Sequence, residues 1–302
     1  MPSNPVARVG VPDSSTMSQR LVITGAGGLL GTVLAAHARR AGREVLALTS
    51  AQCDVTDAAA PARHVGASDV VINCAAFTKV DDAEREADRA HAVNATGAGN
   101  VARACAEAGA RMIHVSTDYV FDGDFGGGEP RPYDVDDATN PLSVYGRSKL
   151  AGERAVLAEL PTAHVVRTAW IYSGGDGSDF VAVMRRKAAE GATVDVVADQ
   201  IGSPTYVGDL VGALLEVADG GVSGPVLHAV NDGPASRFDQ ARAVYELVGA
   251  DPEKVRPVGS DQHPRPAPRP PYSSLSPRRS TDAGLTPLRR WRDALVAALD
   301  VG

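Results

Sequence analysis

Short apolar runs alternate with longer amphipathic stretches through the first half of this 302-residue chain. The apolar runs predict buried β-strands, which fall at residues 20–24, 44–48, 69–73, 111–116 and 164–168. The stretches between them predict three helices. The first follows the first strand and ends near Ala41, and the other two extend over residues 83–108 and 143–160. Alternation of this kind is typical of a parallel sheet covered by helices on both faces. The pattern therefore predicts an α/β fold built on a Rossmann-type doubly wound parallel sheet.

The second half of the chain has shorter elements and more proline. Its pattern predicts one more strand of the main sheet at 193–197, a short strand at 225–230, and helices at 209–218 and 238–248. Thr286 and Pro287 are typical of an N-cap and a first helical residue, so a closing helix is expected to begin there. We expect a larger domain over 18–168, rejoined by 190–218, and a smaller C-terminal α/β domain formed by 169–189 and 219–302.

Charge and composition exclude several functional classes. The formal net charge is −7 and no dense Lys/Arg stripe occurs, which argues against a nucleic-acid partner. No apolar run reaches the roughly 18 residues of a membrane span, so no membrane partner is expected. Three cysteines without a C-x-x-C pair and seven scattered histidines indicate neither a disulfide framework nor a metal site. These features predict a cytoplasmic protein without a metal.

The first 17 residues differ from the rest of the chain. They are polar, contain Pro2, Pro5 and Pro12, and lack the apolar core of a signal peptide. They are predicted to be a disordered leader. Met17, immediately before the first strand, is a candidate start.

A glycine-rich turn follows the first strand. Gly25, Gly28 and Gly31 have the spacing G-x-x-G-x-x-G and open the first helix. In such turns one glycine permits the tight bend, one lets the backbone approach a pyrophosphate, and one lets helix and strand pack closely. The unpaired N–H groups of the helix N-terminus favour phosphate. The turn therefore predicts a dinucleotide-binding site, which assigns this role to the larger domain.

The end of the second strand indicates which dinucleotide is bound. An acidic residue there would bind the ribose 2′-hydroxyl of NAD, but this chain has Thr49 and Ser50, with Arg43 before the strand. The missing acid favours NADPH, with NADH also possible. Asp54 and Val55 follow shortly after. The Asp54 carboxylate could accept from the adenine amino group or cap its own loop before Thr56, and both interpretations stay open.

A tyrosine and a lysine form the candidate catalytic pair. Tyr145 and Lys149 are four residues apart on a predicted helix and so share one face. An ammonium beside a phenol lowers the phenol pKa from about 10. The phenol can then protonate a carbonyl oxygen as a hydride reaches the carbonyl carbon. Thr117, at the end of a strand, offers a hydroxyl to the same oxygen. The three residues predict a reductase.

Longer blocks around these residues resemble the extended short-chain dehydrogenase/reductase family and, within it, the dTDP-4-dehydrorhamnose reductases. The blocks are NCAAFTKVD at 73–81, STDYVFDG at 116–123, PLSVYGRSKLAGE at 141–153, RTAW at 167–170, DQIGSPT at 199–205 and RPPYSSL at 269–275. The resemblance covers about residues 20–302. STDYVF and the R-P-x-x-S-x-L segment are specific to this branch.

The resemblance implies roles at matching positions. The catalytic residues would be Thr117, Tyr145 and Lys149. Residues in contact with the cofactor or supporting its site would include Gly25, Gly28, Leu29, Leu30, Gly31, Thr49, Ser50, Asp54, Val55, Ala75, Ala76, Phe77, Thr78 and Asn94, together with Tyr145 and Lys149. Substrate contacts would come from Thr117, Asp118, Trp170 and Arg269, with the 269–275 segment closing over the sugar nucleotide. The substrate contact of Trp170 rests on the resemblance only, and a place in the core is the alternative interpretation.

The implied activity is NADPH-dependent reduction of the C4 ketone of dTDP-4-dehydro-L-rhamnose to dTDP-L-rhamnose. One alternative is a reductase of another dTDP-4-keto-6-deoxy sugar, such as a dTDP-dihydrostreptose synthase in antibiotic biosynthesis. Another is a non-catalytic, cofactor-binding regulatory subunit, against which the intact Thr117, Tyr145 and Lys149 argue. The implied partner is a dTDP-linked keto sugar, and the implied assembly is a monomer or a homodimer.

Overall fold

The computed structural model describes residues 19–300, so the predicted leader over residues 1–17 lies outside the described residues. In chain order the strands are β1 (Leu21–Thr24), β2 (Val45–Leu48), β3 (Val70–Asn73), β4 (Arg111–Thr117), β5 (His164–Thr168), β6 (Ile171–Tyr172), β7 (Val194–Val197), β8 (Ile201–Gly202), β9 (Thr205–Tyr206), β10 (Val226–His228), β11 (Ala235–Ser236) and β12 (Val255–Val258).

The α-helices are α1 (Leu29–Arg40), α2 (Val80–Ala83), α3 (Ala87–His91), α4 (Ala98–Ala108), α5 (Val144–Glu159), α6 (Phe180–Ala189), α7 (Val207–Asp219), α8 (Arg237–Leu247), α9 (Arg278–Asp282) and α10 (Trp291–Leu299). A π-helical turn, Ala92–Gly97, lies between α3 and α4. Short 3₁₀ turns occur at Pro61–Arg63, Asp118–Val120, Pro252–Lys254 and Ser260–Gln262.

Six parallel strands form the main sheet, in the order β2-β1-β3-β4-β5-β10. Residues of β1 and β3 are buried on both faces, as their continuous apolar runs require. On one face Leu34 of α1 and Leu214 of α7 enter the core; on the other face Val101 of α4 and Val156 of α5 do so. This arrangement confirms the predicted doubly wound α/β fold.

The prediction that residues 193–197 add a strand to the main sheet was wrong. Residues 193–197 do not join the main sheet, because β7 pairs in parallel with β12 as a separate two-stranded sheet. The short strand predicted at 225–230 takes the sixth place, as β10 beside β5. A short apolar run does not specify its partner. The choice is made by α7, whose buried face packs against α1 and returns the chain to the β5 edge.

Two predicted helices also differ from the structure. The single helix expected over 83–108 is interrupted at Glu86, which has φ −115° and ψ 44°, and it then passes through the π-helical turn. The closing helix begins at Trp291 rather than near Thr286. The Thr286 N–H and hydroxyl both donate to Glu216 Oε1 of α7, at 2.8 and 2.9 Å, so a tertiary contact replaces the expected cap.

The C-terminal part has its own core between α6, α8 and α10. This core contains Val181, Val244, Tyr245 and Leu295. A second apolar cluster lies where the two parts meet, and in it the rings of Phe121 and Tyr133 stack with centroids 4.1 Å apart. Tyr272 and Leu275 belong to the same cluster, which fixes the 269–275 segment beside the end of β4. Over residues 19–300, no helix is long and apolar enough to cross a membrane.

Candidate active site

A cleft of about 790 Å³ opens at the carboxyl ends of the central strands. Ligands of open α/β sheets bind at the point where the strand order reverses, and here that point lies between β1 and β3. The cleft is lined by most of the predicted site residues: Gly25, Gly28, Leu29, Leu30, Gly31, Thr49, Ser50, Asp54, Val55, Ala75, Ala76, Phe77, Thr78, Thr117, Asp118, Tyr145, Lys149 and Trp170. Asn94 and Arg269 are not among the lining residues.

The glycine turn is held against the backbone after β3. Gly25 has φ +70°, and a Cβ there would lie 2.5 Å from the Ala75 nitrogen. A Cβ at Gly31 would lie 2.5 Å from the Gly25 carbonyl oxygen, so only glycine permits α1 to begin this close to the turn. Gly28, the N-cap of α1, makes no side-chain cap, and nothing approaches the position of its Cβ within 3.4 Å. The first N–H groups of α1 therefore remain available to an anion in the cleft.

Where the cleft meets the end of β2 it is lined by the hydroxyls of Thr49 and Ser50 instead of an acid. The Thr49 N–H and hydroxyl both donate to Gln52 Oε1, at 3.0 and 2.9 Å. Arg43 forms an ion pair with Asp219 and is not directed to this end. Asp54 caps its loop by accepting from the Thr56 N–H and hydroxyl, which lowers the Asp54 pKa. The structure thus shows the loop-capping role of Asp54 and leaves its carboxylate bordering the cleft.

Tyr145 and Lys149 face the cleft from the start of α5. The helix begins at Ser143, whose hydroxyl accepts from the Gly146 N–H at 3.1 Å. Burial raises the pKa of Tyr145, and a hydrogen bond with Thr117 opposes that effect. The expectation that Lys149 lowers the Tyr145 pKa was wrong for the protein alone, because burial dominates. The phenol therefore stays protonated, as a proton donor must.

Lys149 lies in a buried polar chain. Its amino group donates to the Val115 carbonyl oxygen at 2.7 Å and lies 3.5 Å from His114 Nε2. Asn73 Oδ1 accepts from Thr24 Oγ1 and the Ala75 N–H, so Asn73 Nδ2 must donate to His114 Nδ1, at 3.0 Å. His114 is fully buried, and burial holds its pKa well below the usual value, so it is neutral with its proton on Nε2.

A neutral, buried surrounding destabilises the ammonium form of Lys149. Burial lowers the Lys149 pKa to about 8, although Glu153 and Cys74 act to raise it. The His114 Nε2–H points toward the amino group and offers it no acceptor. Lys149 therefore exchanges its proton close to neutral pH, unlike an exposed lysine.

Asn94 lies behind the cleft, in the π-helical turn. Its Oδ1 accepts from the Phe77 N–H at 2.7 Å, and its Nδ2 donates to the Phe77 carbonyl oxygen and to Ser148 Oγ, at 3.1 and 2.9 Å. The side chain is fully buried. Asn94 thus fixes the loop after β3 against α5, and with it the distance between Phe77 and Tyr145.

Asp118 and Trp170 border the opposite end of the cleft. Asp118 Oδ2 accepts from Ser273 Oγ at 2.6 Å, which connects the 269–275 segment to the end of β4. Burial raises the Asp118 pKa to about 6, opposed by the hydrogen bonds from Ser273 and Thr117. Trp170 has φ 45°, in the left-handed region, and lies against Gly202. Its indole is therefore partly packed and partly directed to the cleft.

Arg269 is held away from the cleft lining. Its guanidinium binds both carboxylate oxygens of Asp81, at 2.6 and 2.9 Å, and donates to the Ala267 carbonyl oxygen. The contact of this side chain with substrate stays a prediction, but Asp81 already neutralises its charge. Its position connects the start of the 269–275 segment to α2.

Comparison with known proteins identifies the family. The profile of the RmlD substrate binding domain family matches residues 19–301. This chain belongs to that family. It is 65% identical over 285 residues to a dTDP-4-dehydrorhamnose reductase of Mycolicibacterium smegmatis, with 94% of this chain and 86% of the relative covered. A dTDP-4-dehydrorhamnose reductase of Mycobacterium tuberculosis is 66% identical over 282 residues, with 93% of each chain covered.

A solved structure extends the comparison to the fold. The dTDP-4-dehydrorhamnose reductase of Bacillus anthracis, in complex with NADP, matches this chain with a TM-score of 0.87 and 35% identity. The match covers 94% of this chain and 99% of that chain. The family predicted from the sequence blocks is thus confirmed over almost the whole described range.

Several cleft residues of this RmlD-family chain were not predicted: Gly27, Cys53, Cys74, Arg89, Val93, Val115, Ser116, Thr168, Ala169 and Ile171. Most of them lie at or just beyond the carboxyl ends of β3, β4 and β5. They could have been predicted, because ligands of open α/β sheets bind at the carboxyl ends of the strands. No sequence signal indicated Arg89. Cys74 is inert packing rather than a nucleophile, because burial raises its pKa to about 12.

Proposed function

We propose that this protein reduces the C4 ketone of dTDP-4-dehydro-L-rhamnose to dTDP-L-rhamnose with NADPH. The observation that carries the proposal is the meeting of Tyr145, Lys149 and Thr117 in the same cleft as the glycine turn. Family membership and the named activity of relatives at 65% and 66% identity support it. NADH is the alternative cofactor, because the end of β2 carries neither an acid nor an unpaired arginine.

The residues present fit a dinucleotide. Gly25 and Gly31 let the turn pack tightly on the backbone after β3, and Gly28 carries no side chain that would cover the N–H groups at the start of α1. When bound, NADPH supplies the hydride. We assign the pyrophosphate contacts to the backbone of Gly28, Leu29 and Leu30. Thr49, Ser50, Asp54 and Val55 would border the adenosine, and residues Ala75 to Thr78 would border the rest of the cofactor.

The chain's own chemistry lies in the proton transfer. Tyr145 would donate its phenol proton to the C4 oxygen, and Thr117 would orient that oxygen by a hydrogen bond. Lys149 would hold the nicotinamide ribose and stabilise the phenolate that forms. Asn94 would keep the Phe77 loop at the correct distance from α5.

The two parts of the chain would bind different ligands. We propose that the main sheet with its helices, including α7 and β10, binds the cofactor and that the C-terminal part binds the sugar nucleotide. Asp118 and Trp170 border the cleft where the parts meet. We also propose a cytoplasmic location, which the free thiols of Cys53, Cys74 and Cys105 support.

The direct test mixes purified protein with NADPH and freshly prepared dTDP-4-dehydro-L-rhamnose and identifies the product sugar by NMR. Formation of dTDP-L-rhamnose with matching loss of NADPH absorbance is expected. Turnover only with a different dTDP-4-keto-6-deoxy sugar, such as the precursor of dihydrostreptose, would replace the substrate and keep the reaction. Binding of NADPH without turnover of any such sugar would contradict the reductase and favour a regulatory subunit.

The pH dependence of the reaction should report Lys149. Its pKa is about 8, so the ammonium form predominates below that pH and is lost above it. We expect kcat/KM for NADPH, which reports the free protein, to fall about tenfold per pH unit above the Lys149 pKa. Circular dichroism at each pH controls for unfolding. A rate constant that stays level to about pH 10, near the ordinary pKa of lysine, would contradict this assignment.

Alanine at Gly25 tests the close contact of the glycine turn, and Gly42→Ala is its matched control. Both glycines have positive φ, +70° and +77°, but only Gly25 has backbone atoms near the position of its Cβ. Each variant should lose about 1–2 kcal/mol of unfolding free energy from the left-handed backbone. Gly25→Ala should lose about 1–3 kcal/mol more from overpacking against Ala75. Denaturant titration measures both losses.

The same pair of variants should also differ in cofactor binding. Gly25→Ala displaces the turn that borders the cleft, whereas Gly42 follows α1 at its far end. Fluorescence titration with NADPH should therefore show weaker binding for Gly25→Ala and unchanged binding for Gly42→Ala. Equal affinity in the two variants would show that the turn does not hold the cofactor.

A further inference from the structure

Arg237 holds an unusual position beside the cleft. It is the first residue of α8, and its guanidinium lies over the Trp170 ring, 3.6 Å from the ring centroid. The Phe180 ring lies on the same guanidinium at 5.0 Å. Arg237 is not itself among the residues that line the cleft, but Trp170 is, so the stack places Arg237 against the cleft wall where the two parts of the chain meet.

The charge of Arg237 is not neutralised. Within residues 19–300 its side chain makes one hydrogen bond, to Gln240 Oε1 at 3.2 Å, and no carboxylate lies within ion-pairing distance. The neighbouring Asp239 accepts from the Ser236 N–H and hydroxyl as part of a capping box. A cation in the first turn of a helix is also opposed by the helix dipole. The side chain is half-buried.

The surroundings of Arg237 make this charge costly. Burial lowers its pKa to about 10, and Arg269 lowers it further, while Tyr119 and Asp118 act to raise it. Arg269 differs in being neutralised by two bonds to Asp81. Arg237 is therefore the guanidinium at this end of the cleft that has no anion of its own.

The stack also fixes how Arg237 presents its donors. A guanidinium that lies flat on an indole keeps its N–H groups in the plane, pointing outward from the edge. This edge matches the two oxygens of a phosphate, which arginine binds through a pair of parallel hydrogen bonds. A partly desolvated site strengthens such a contact relative to one in water.

We propose that Arg237 binds the diphosphate of the sugar nucleotide, with Trp170 holding its guanidinium in the required plane. The inference rests on the proposed function, since that function is what brings a nucleoside diphosphate to this end of the cleft. It adds Arg237 to the substrate contacts that the resemblance implied, which did not include it.

Calorimetric titration with dTDP and with thymidine tests the proposal on the full chain. Arg237→Gln should bind dTDP about 10- to 100-fold more weakly than the unaltered protein, as expected for a lost charge-assisted contact. Its affinities for thymidine and for NADPH should not change. The affinity of Arg237→Lys for dTDP should lie between those of Arg237→Gln and the unaltered protein, because lysine keeps the charge and loses the planar pair of donors. In turnover, Arg237→Gln should raise KM for the sugar nucleotide more than it lowers kcat.

Arg242→Gln is the matched control. It removes an arginine from the same helix, but one that is paired on the surface with Glu253 and Glu246, so dTDP binding should not change. Thermal unfolding of all variants verifies that they are folded. If Arg237→Gln bound dTDP as tightly as the unaltered protein, the inference would be overturned while the proposed function stood. The same holds if the affinity for thymidine fell by as large a factor as the affinity for dTDP. Unaltered protein that binds no dTDP would overturn the proposed function together with it.

Discussion

Replacement of Tyr145 by phenylalanine is expected to lower kcat by about 100- to 10,000-fold, the range typical for loss of a general acid. The phenol is the proposed proton donor, and burial keeps it protonated by raising its pKa. Phenylalanine keeps the ring and its edge-on contact with Tyr119, whose centroid is 6.0 Å away. The cleft should therefore keep its shape, and NADPH should bind with nearly unchanged affinity.

Stopped-flow measurement of NADPH oxidation with the keto sugar gives the rate, and fluorescence titration gives the affinity. Tyr245→Phe is the control, because it also removes a tyrosine hydroxyl, one that donates to the Ala192 carbonyl oxygen in the C-terminal core. That variant should turn over normally. If Tyr145→Phe retained more than about a tenth of the normal rate, another proton donor would have to be sought.

Replacement of Glu153 by glutamine is expected to remove about 3–5 kcal/mol of unfolding free energy, the cost of breaking a buried ion pair. Glu153 and Arg167 face each other from α5 and β5, with side chains 4% and 5% exposed. Two bonds join them, at 2.9 and 2.8 Å, and Ser116 Oγ donates to the same carboxylate at 2.6 Å. Glutamine would leave the arginine charge buried without its counter-ion.

Glu159→Gln is the matched control on the same helix. Glu159 pairs with Arg103 on the surface, where the two side chains are 34% and 50% exposed, so its loss should change the unfolding free energy far less than the loss of Glu153. Urea titration of both variants measures the difference. Because Glu153 also raises the Lys149 pKa, Glu153→Gln should move the alkaline limit of activity to lower pH. Equal stability of the two variants would contradict the role assigned to the buried pair.

The elements near the glycine turn could be predicted because their signals are local. A strand buried on both faces is apolar along most of its length, so β1 and β3 were found almost at their true bounds. The spacing of Gly25, Gly28 and Gly31 follows from contacts within a few residues, and nearly all the predicted cofactor residues border one cleft. The i, i+4 spacing placed Tyr145 and Lys149 on one face of α5 in the same way.

Features that depend on distant residues could not be predicted. The sixth strand was misassigned because β7 and β10 are both short and apolar, and only the packing of α7 on α1 decides between them. Arg269 belongs to a family block, yet Asp81, 188 residues away, neutralises it. Arg237 carries no motif, and its stack on Trp170 joins elements that are distant in sequence.

The sequence by itself determined the fold class, the family and the identity of the candidate catalytic residues, because these depend on burial periodicity and on spacing within single elements. The tertiary structure decided the strand order at the sheet edge, the ionisation of Tyr145 and Lys149, and which arginine keeps a free charge. The physical reason is that ionisation depends on the distance to solvent and to other charges. Those distances are set by packing between elements, and the order of residues along the chain does not contain them.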